Sequence, residues 1–97
     1  MNNLTDLLLK TANEYNIYSQ LVALCRAYKE EGKCTEEDLQ WKRGYRSCCE
    51  NQLKEVAAIA GATLIWECSE NVVATCDQQR TLEYRTVRVQ FPGNEGR

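Results

Sequence analysis

Histidine is missing altogether from the 97 residues, and proline, methionine and phenylalanine occur once each. Without imidazole there is no Ser-His or Cys-His nucleophile pair, no histidine ligand for a metal, and no side chain whose unperturbed pKa lies near neutrality. One Pro and five Gly argue against a collagen-like or Pro-rich disordered chain. The 43% hydrophobic and 27% charged residues fall in the globular range. At 11.2 kDa there is enough chain for one hydrophobic core and too little for two. Twelve basic and 14 acidic residues leave a formal net charge of -2. Any nucleic-acid contact therefore needs a local basic patch, because the overall field repels phosphate.

Long apolar runs are missing as well. The start MNNLTDLLLKTANEYN has no basic stretch ahead of Leu7 to Leu9, and Asp6 stands where a secretory signal carries positive charge. No segment approaches the roughly 18 apolar residues of a membrane span, so the chain is expected to be cytoplasmic, with no membrane partner. Cysteine is what the chain has in abundance: Cys25, Cys34, Cys48, Cys49, Cys68 and Cys76. In a secreted chain this even set would suggest a disulfide framework; without a signal, reduced thiols are expected. No C-x2-4-C knuckle is present, so neither a metal nor another cofactor is expected. Cys25, Cys68 and Cys76 are expected on apolar faces as small hydrophobes. The adjacent Cys48 and Cys49 point about 100° apart on a helix, so at most one shares a face with a given partner. Cys34, in a loop beside Lys33, is the thiol expected to be most exposed and reactive.

Periodicity organises the chain. Leu4, Leu8, Tyr15, Tyr18, Val22 and Cys25 recur at helical spacing, with Leu7, Leu21 and Tyr28 one step around the stripe, which predicts a helix over 3–31. Leu9, Ile17 and Leu24 widen the stripe. They would either bury a second side or leave a strip for a partner, including a second copy in a homodimer. Gly32 offers the left-handed residue that closes a helix. Thr35 followed by Glu36, Glu37 and Asp38 predicts the capped start of a second helix over 35–60, with Leu39, Cys49, Leu53, Val56 and Ala60 inward and Gly61 as its stop. Gly44 is the candidate bend or close-approach point. The short connection between the helices requires an antiparallel hairpin.

After Gly61 the period changes to two. Ala62 to Cys68, Val72 to Cys76 and Leu82 to Phe91 read as strands, joined by turns at 69–71 and 77–81. A three-residue first turn would set Cys68 opposite Val72, Trp66 opposite Ala74 and Leu64 opposite Cys76, on the face that meets the helices together with Val87, Val89 and Phe91. Pro92 ends the last strand, and residues 92–97 read as a flexible tail. The expected fold is α+β: one domain over 1–97, an antiparallel hairpin of two long helices packed on a C-terminal three-stranded antiparallel meander in 62–91.

No glycine-rich phosphate loop, G-x-S-x-G elbow, H-E-x-x-H or carboxylate dyad is present, so no enzyme is expected. Two surfaces remain. The outer face of the sheet, with Ile65, Val73, Tyr84 and Arg88, has a composition suited to a protein contact. On the second helix, Trp41, Lys42, Arg43, Tyr45 and Arg46 combine cations with aromatic faces that can stack on bases. Against a basic patch there, Glu36, Glu37 and Asp38 lie one turn upstream, and acids also crowd the hairpin tip at Glu30 and Glu31. The leading expectation is a small non-catalytic protein-binding module that occupies a surface on a larger host protein or complex. Phage and mobile-element chains that inhibit or modulate host nucleases or defence complexes are often of this class. The alternative is a nucleic-acid-binding accessory protein that works through the Trp/Lys/Arg cluster.

Overall fold

The computed structural model describes residues 3–74 and 79–92. Four elements follow in order: α1 (Asn3–Glu30), α2 (Glu36–Ala60), β1 (Thr63–Ala74) and β2 (Gln79–Gln90). The fold is α+β, with two helices packed on a two-stranded antiparallel sheet.

The helix ends are set by local chemistry. Thr35 is extended, at φ -93° and ψ 162°, and its hydroxyl accepts the Asp38 amide at 3.1 Å, while Glu36, Glu37 and Asp38 complement the positive end of the α2 dipole. Both helices close in the same way. At Gly32 (φ 78°) the Gly32 amide donates to the Lys29 carbonyl at 3.0 Å and the Lys33 amide to Tyr28 at 2.8 Å. At Gly61 (φ 71°) the Gly61 amide donates to Ala58 at 3.4 Å and the Ala62 amide to Ala57 at 2.9 Å. This paired reach back to carbonyls of the last turn needs a left-handed residue, which glycine adopts without a Cβ penalty. No break falls at Gly44: α2 runs through it as one helix, and nothing approaches the glycine closely.

Leu8, Ala12 and Tyr15 of α1 pack with Cys49, Leu53, Val56 and Ala57 of α2, and the sheet closes this core with Val87, Leu64, Trp66, Val89 and Phe91. The Tyr15 and Trp66 rings meet edge to face at 5.3 Å. A smaller cluster of Val22, Cys25 and Leu39, with Cys34 against it, fills the turn end of the hairpin. The envelope is elongated, 49 × 28 × 19 Å.

α1 lies between α2 and the sheet, so it has two buried sides. The second is not made by Leu9 and Ile17, which are 49% and 47% exposed. It is a stripe of small and polar residues, with Ala12, Ser19 and Ala27 buried and Asn16 and Ala23 beside them. Ala23 and Ala27 face the Arg80 to Glu83 stretch of β2 across a narrow groove. Small side chains let the strand approach the helix closely. Asn16 does more: its amide nitrogen donates to the Val87 carbonyl at 3.0 Å, and its carbonyl accepts the Val87 amide at 2.7 Å. The side-chain amide thus takes the place of a neighbouring strand at this point on the β2 edge.

The expected meander is corrected to one long hairpin. Ser69, Glu70 and Asn71 are not a turn; they lie within β1 and pair with Tyr84, Glu83 and Leu82. Cys68 pairs with Arg85, Trp66 with Val87 and Leu64 with Val89, and Gln79 to Thr81 belong to β2. Residues 69–71 contain no glycine to supply a left-handed turn position, and no non-glycine residue described has a positive φ. The twelve-residue ladder keeps its backbone bonds instead, and the Ser69 and Thr86 hydroxyls meet across it at 3.2 Å. Cys68 is exposed rather than on an apolar face, because β1 extends past the core at that point. The second predicted turn at 77–78, Cys76 and the tail from 93 onward lie outside the described residues.

Val87 and Leu82 are both buried on β2 although five positions apart, hence on opposite faces of an unbroken register. Twist resolves this. Two-stranded ribbons twist more strongly than wide sheets, so the ribbon rolls and presents one face to the core at its base and the other to α1 further out.

Two outcomes follow from these contacts. N16A removes both partners of a half-buried backbone amide and carbonyl and should lower stability by about 1–3 kcal/mol. A Cβ at Gly44 would meet nothing within 4 Å, so G44A should raise stability by roughly 0.5–1 kcal/mol through helix propensity. Urea unfolding with an unchanged m-value checks both, and a neutral N16A would show that the ribbon is held by apolar packing alone.

Candidate functional site

Residues of α2 that face α1 and the core recur through Leu39, Cys49, Leu53 and Val56. Trp41 and Tyr45, one helical turn apart, fall on the flank of that line. Across the hairpin seam Tyr18 of α1 meets them. Tyr18 and Tyr45 have ring centroids 4.3 Å apart, Trp41 stacks on Tyr45 at 5.6 Å with planes 29° apart, and Tyr18 meets Trp41 at 6.3 Å. Nothing in the described chain covers the outer faces of this trio: Trp41 is 62% and Tyr45 41% exposed. Contiguous exposed aromatic surface of this kind is characteristic of contact sites.

Carboxylates stand beside the trio, and Lys42 precedes Tyr45 by one turn. The Tyr45 phenol has its pKa pushed above 10.0, chiefly by the carboxylate of Glu14, then by Tyr18 and partial burial. Glu37 and Asp38, both exposed, precede Trp41 by one turn. The exposed Cys48 follows Tyr45 on the same flank.

The five residues of the predicted nucleic-acid cluster are not gathered on one surface. At about 100° per residue, Arg43 lies roughly opposite Trp41 and Tyr45 around α2. There it faces Glu36, whose carboxyl is held below its ordinary pKa by hydrogen bonds from Lys29 and Gln40 and, more weakly, by Arg43. Lys42 points along the hairpin seam, where its charge reaches Cys25. Arg46 is close enough to contribute to the lowered pKa of Glu50, of which the Lys54 hydrogen bond is the main cause. Of the five, only the Trp41 and Tyr45 rings pack on one another.

Ile65, Val73, Tyr84 and Arg88 do share one face by register, with Ile65 directly opposite Arg88. The twist of the ribbon spreads them along its length. Leu82, on the same face, turns inward against α1. Ile65, Val73 and Tyr84 are half-buried, and Arg88 is tied to Glu67 at 3.4 Å. The strand arginines are similarly occupied: Arg80 pairs with Glu30 at 2.6 Å, and Arg85 lies 4.3 Å over the Trp66 ring. None of them extends the aromatic patch.

Tyr18 reads in sequence as one more member of the α1 core stripe. Its place in the patch follows only when the chain is folded back at the Glu31 to Thr35 connection, which sets residue 18 against the middle forties. Among the described residues no group of three or more Cys, Asp and Glu side chains could hold a metal ion, and no helix is long and apolar enough to cross a membrane. No protein-family model matches the chain, and neither curated proteins nor solved structures give a match.

The electrostatics of the patch are open to direct test. A tyrosine whose folded pKa is raised contributes stability below its unfolded pKa and loses it as pH climbs through the folded value. E14Q removes the largest cause, so the Tyr45 titration should move down toward 10.0 and the alkaline loss of stability should diminish. Carbon-13 tyrosine NMR resolves this, and an unmoved Tyr45 would remove Glu14 from the rim.

Proposed function

We propose that the chain is a non-catalytic protein-binding module. It docks through Tyr18, Trp41 and Tyr45 onto a larger protein whose surface presents lysine or arginine beside apolar side chains. The observation that carries this reading is a solvent-exposed Trp41 stacked on Tyr45, with the Glu14 carboxylate acting on the Tyr45 phenol. Trp and Tyr are the side chains most enriched among energetic anchors of protein interfaces. Their mutual packing fixes the rings before a partner arrives, which reduces the ordering cost of association. Glu14, Glu37 and Asp38 select a cationic counterpart and repel phosphate, and aromatic faces attract the same cations. The protein already uses such a contact internally, where Arg85 lies over Trp66. Occlusion of a surface on a host nuclease or defence complex is the mode of action such a docking face would serve.

Affinity capture from the native source with wild type, W41A and R43A tests the assignment. Wild type and R43A should retain a shared partner, and W41A should lose it by tenfold or more, about 1.4 kcal/mol on the hot-spot scale. W41A should keep its urea midpoint to within about 0.5 kcal/mol, because the indole is mostly in water. Titration with labelled DNA and RNA at two salt concentrations is the counter-test. Salt-sensitive binding abolished by R43A would replace the protein partner with nucleic acid.

A further inference from the structure

Two cysteines nine residues apart in sequence meet at the turn end of the helical hairpin. Cys25, near the end of α1, is 2% exposed and packs with Val22 and Leu39. The glycine closure at Gly32 reverses the chain, and Cys34, the residue after the Lys33 amide that completes that closure, lies half-buried against the same cluster. Both are free thiols. Burial pushes the Cys25 thiol above its ordinary pKa, and hydrogen bonding to the Cys34 thiol adds to the rise. One thiol is therefore accessible and the other shielded, in mutual contact. That is the arrangement of an entry cysteine backed by a resolving one.

We propose that Cys25 and Cys34 are a modification site: they form a reversible intramolecular disulfide, with glutathione disulfide or a small-molecule disulfide of that class as oxidant. The Cys34 thiolate attacks one sulfur of the oxidant, forms a mixed disulfide, and releases the first thiol. Cys25 then loses its proton, and its sulfur attacks the Cys34 sulfur and expels the second. Two protein thiols are oxidised, one disulfide is reduced to two thiols, and the two protons leave on the released thiols. No reagent needs to reach Cys25, because the second step takes place within the packed cluster. The bond would close the segment that carries the Gly32 cap and joins the two helices. The inference does not depend on the docking surface proposed above.

Exposure of the full chain to glutathione buffers of rising oxidised fraction, followed by acid quench, alkylation and peptide mapping by mass spectrometry, decides it. A Cys25–Cys34 linkage should appear in wild type and revert with excess reduced glutathione, while the exposed Cys48 and Cys68 carry glutathione adducts. C25S should trap a stable glutathione adduct on Cys34, and C34S should leave Cys25 unmodified. A persistent adduct on Cys34 in wild type, or linkage of either residue to another cysteine, would overturn the proposal. Because the wild-type map alone separates these outcomes, the test survives a variant that folds poorly.

Discussion

One carboxamide ties the backbone of the ribbon to the helices, beside the packing of the shared core. A two-stranded ribbon is marginally stable by itself in water, and β2 presents backbone groups along its outer edge. Asn16 meets both polar groups of Val87 from the middle of α1, which fixes where along the helix the ribbon lies. From that anchor the rest follows: Val87 reaches the main core, the small residues of α1 admit the outer part of β2, and the twist of the ribbon brings Leu82 inward. α1 accordingly carries two kinds of buried surface. Large apolar groups such as Leu8 and Tyr15 enter the main core between α2 and the base of the sheet, and small or polar ones line the contact with the outer part of β2.

The aromatic patch arises from a different constraint, the antiparallel return of α2 along α1. Neither helix builds it alone. Trp41 and Tyr45 take the flank that the core line leaves open, and Tyr18 fills the seam beneath them. The acids that cap and complement the start of α2 stand one turn away, so a feature that stabilises the helix also colours the potential around the rings. The cations written between the aromatics in sequence are turned by the helical period away from them, Lys42 toward the seam near Cys25 and Arg43 toward Glu36 on the opposite flank.

Helices were legible because their signals are local. The Thr35 cap, the glycines at 32 and 61 and the spacing of Leu8, Tyr15, Val22 and Cys25 each act within a turn or two, and the observed bounds of α1 and α2 differ from those expected by one residue at an end. The strands were less so. Ser69-Glu70-Asn71 has turn composition, but in a long ladder the loss of cross-strand bonds outweighs local preference, and no periodicity count includes that cost. The second buried side of α1 was equally hidden, since Ala23, Ala27 and Ser19 carry little hydrophobic signal and Asn16 carries none. The same limit applied to the candidate site: Trp41 and Tyr45 stood out by type, whereas Tyr18 joined them only through tertiary structure, and Arg43 left them for the same reason.

The patch spans two elements joined by one short connection, with one ring from α1 and two from α2. A protein seated across it therefore grips both helices at once, and its binding energy becomes part of what must be overcome to pull them apart. By linkage, a partner present at a hundred times its dissociation constant would add about 2.7 kcal/mol to the folded state of this small domain. Occupancy and persistence of the chain would then rise together, with the unbound form the first to be lost to unfolding.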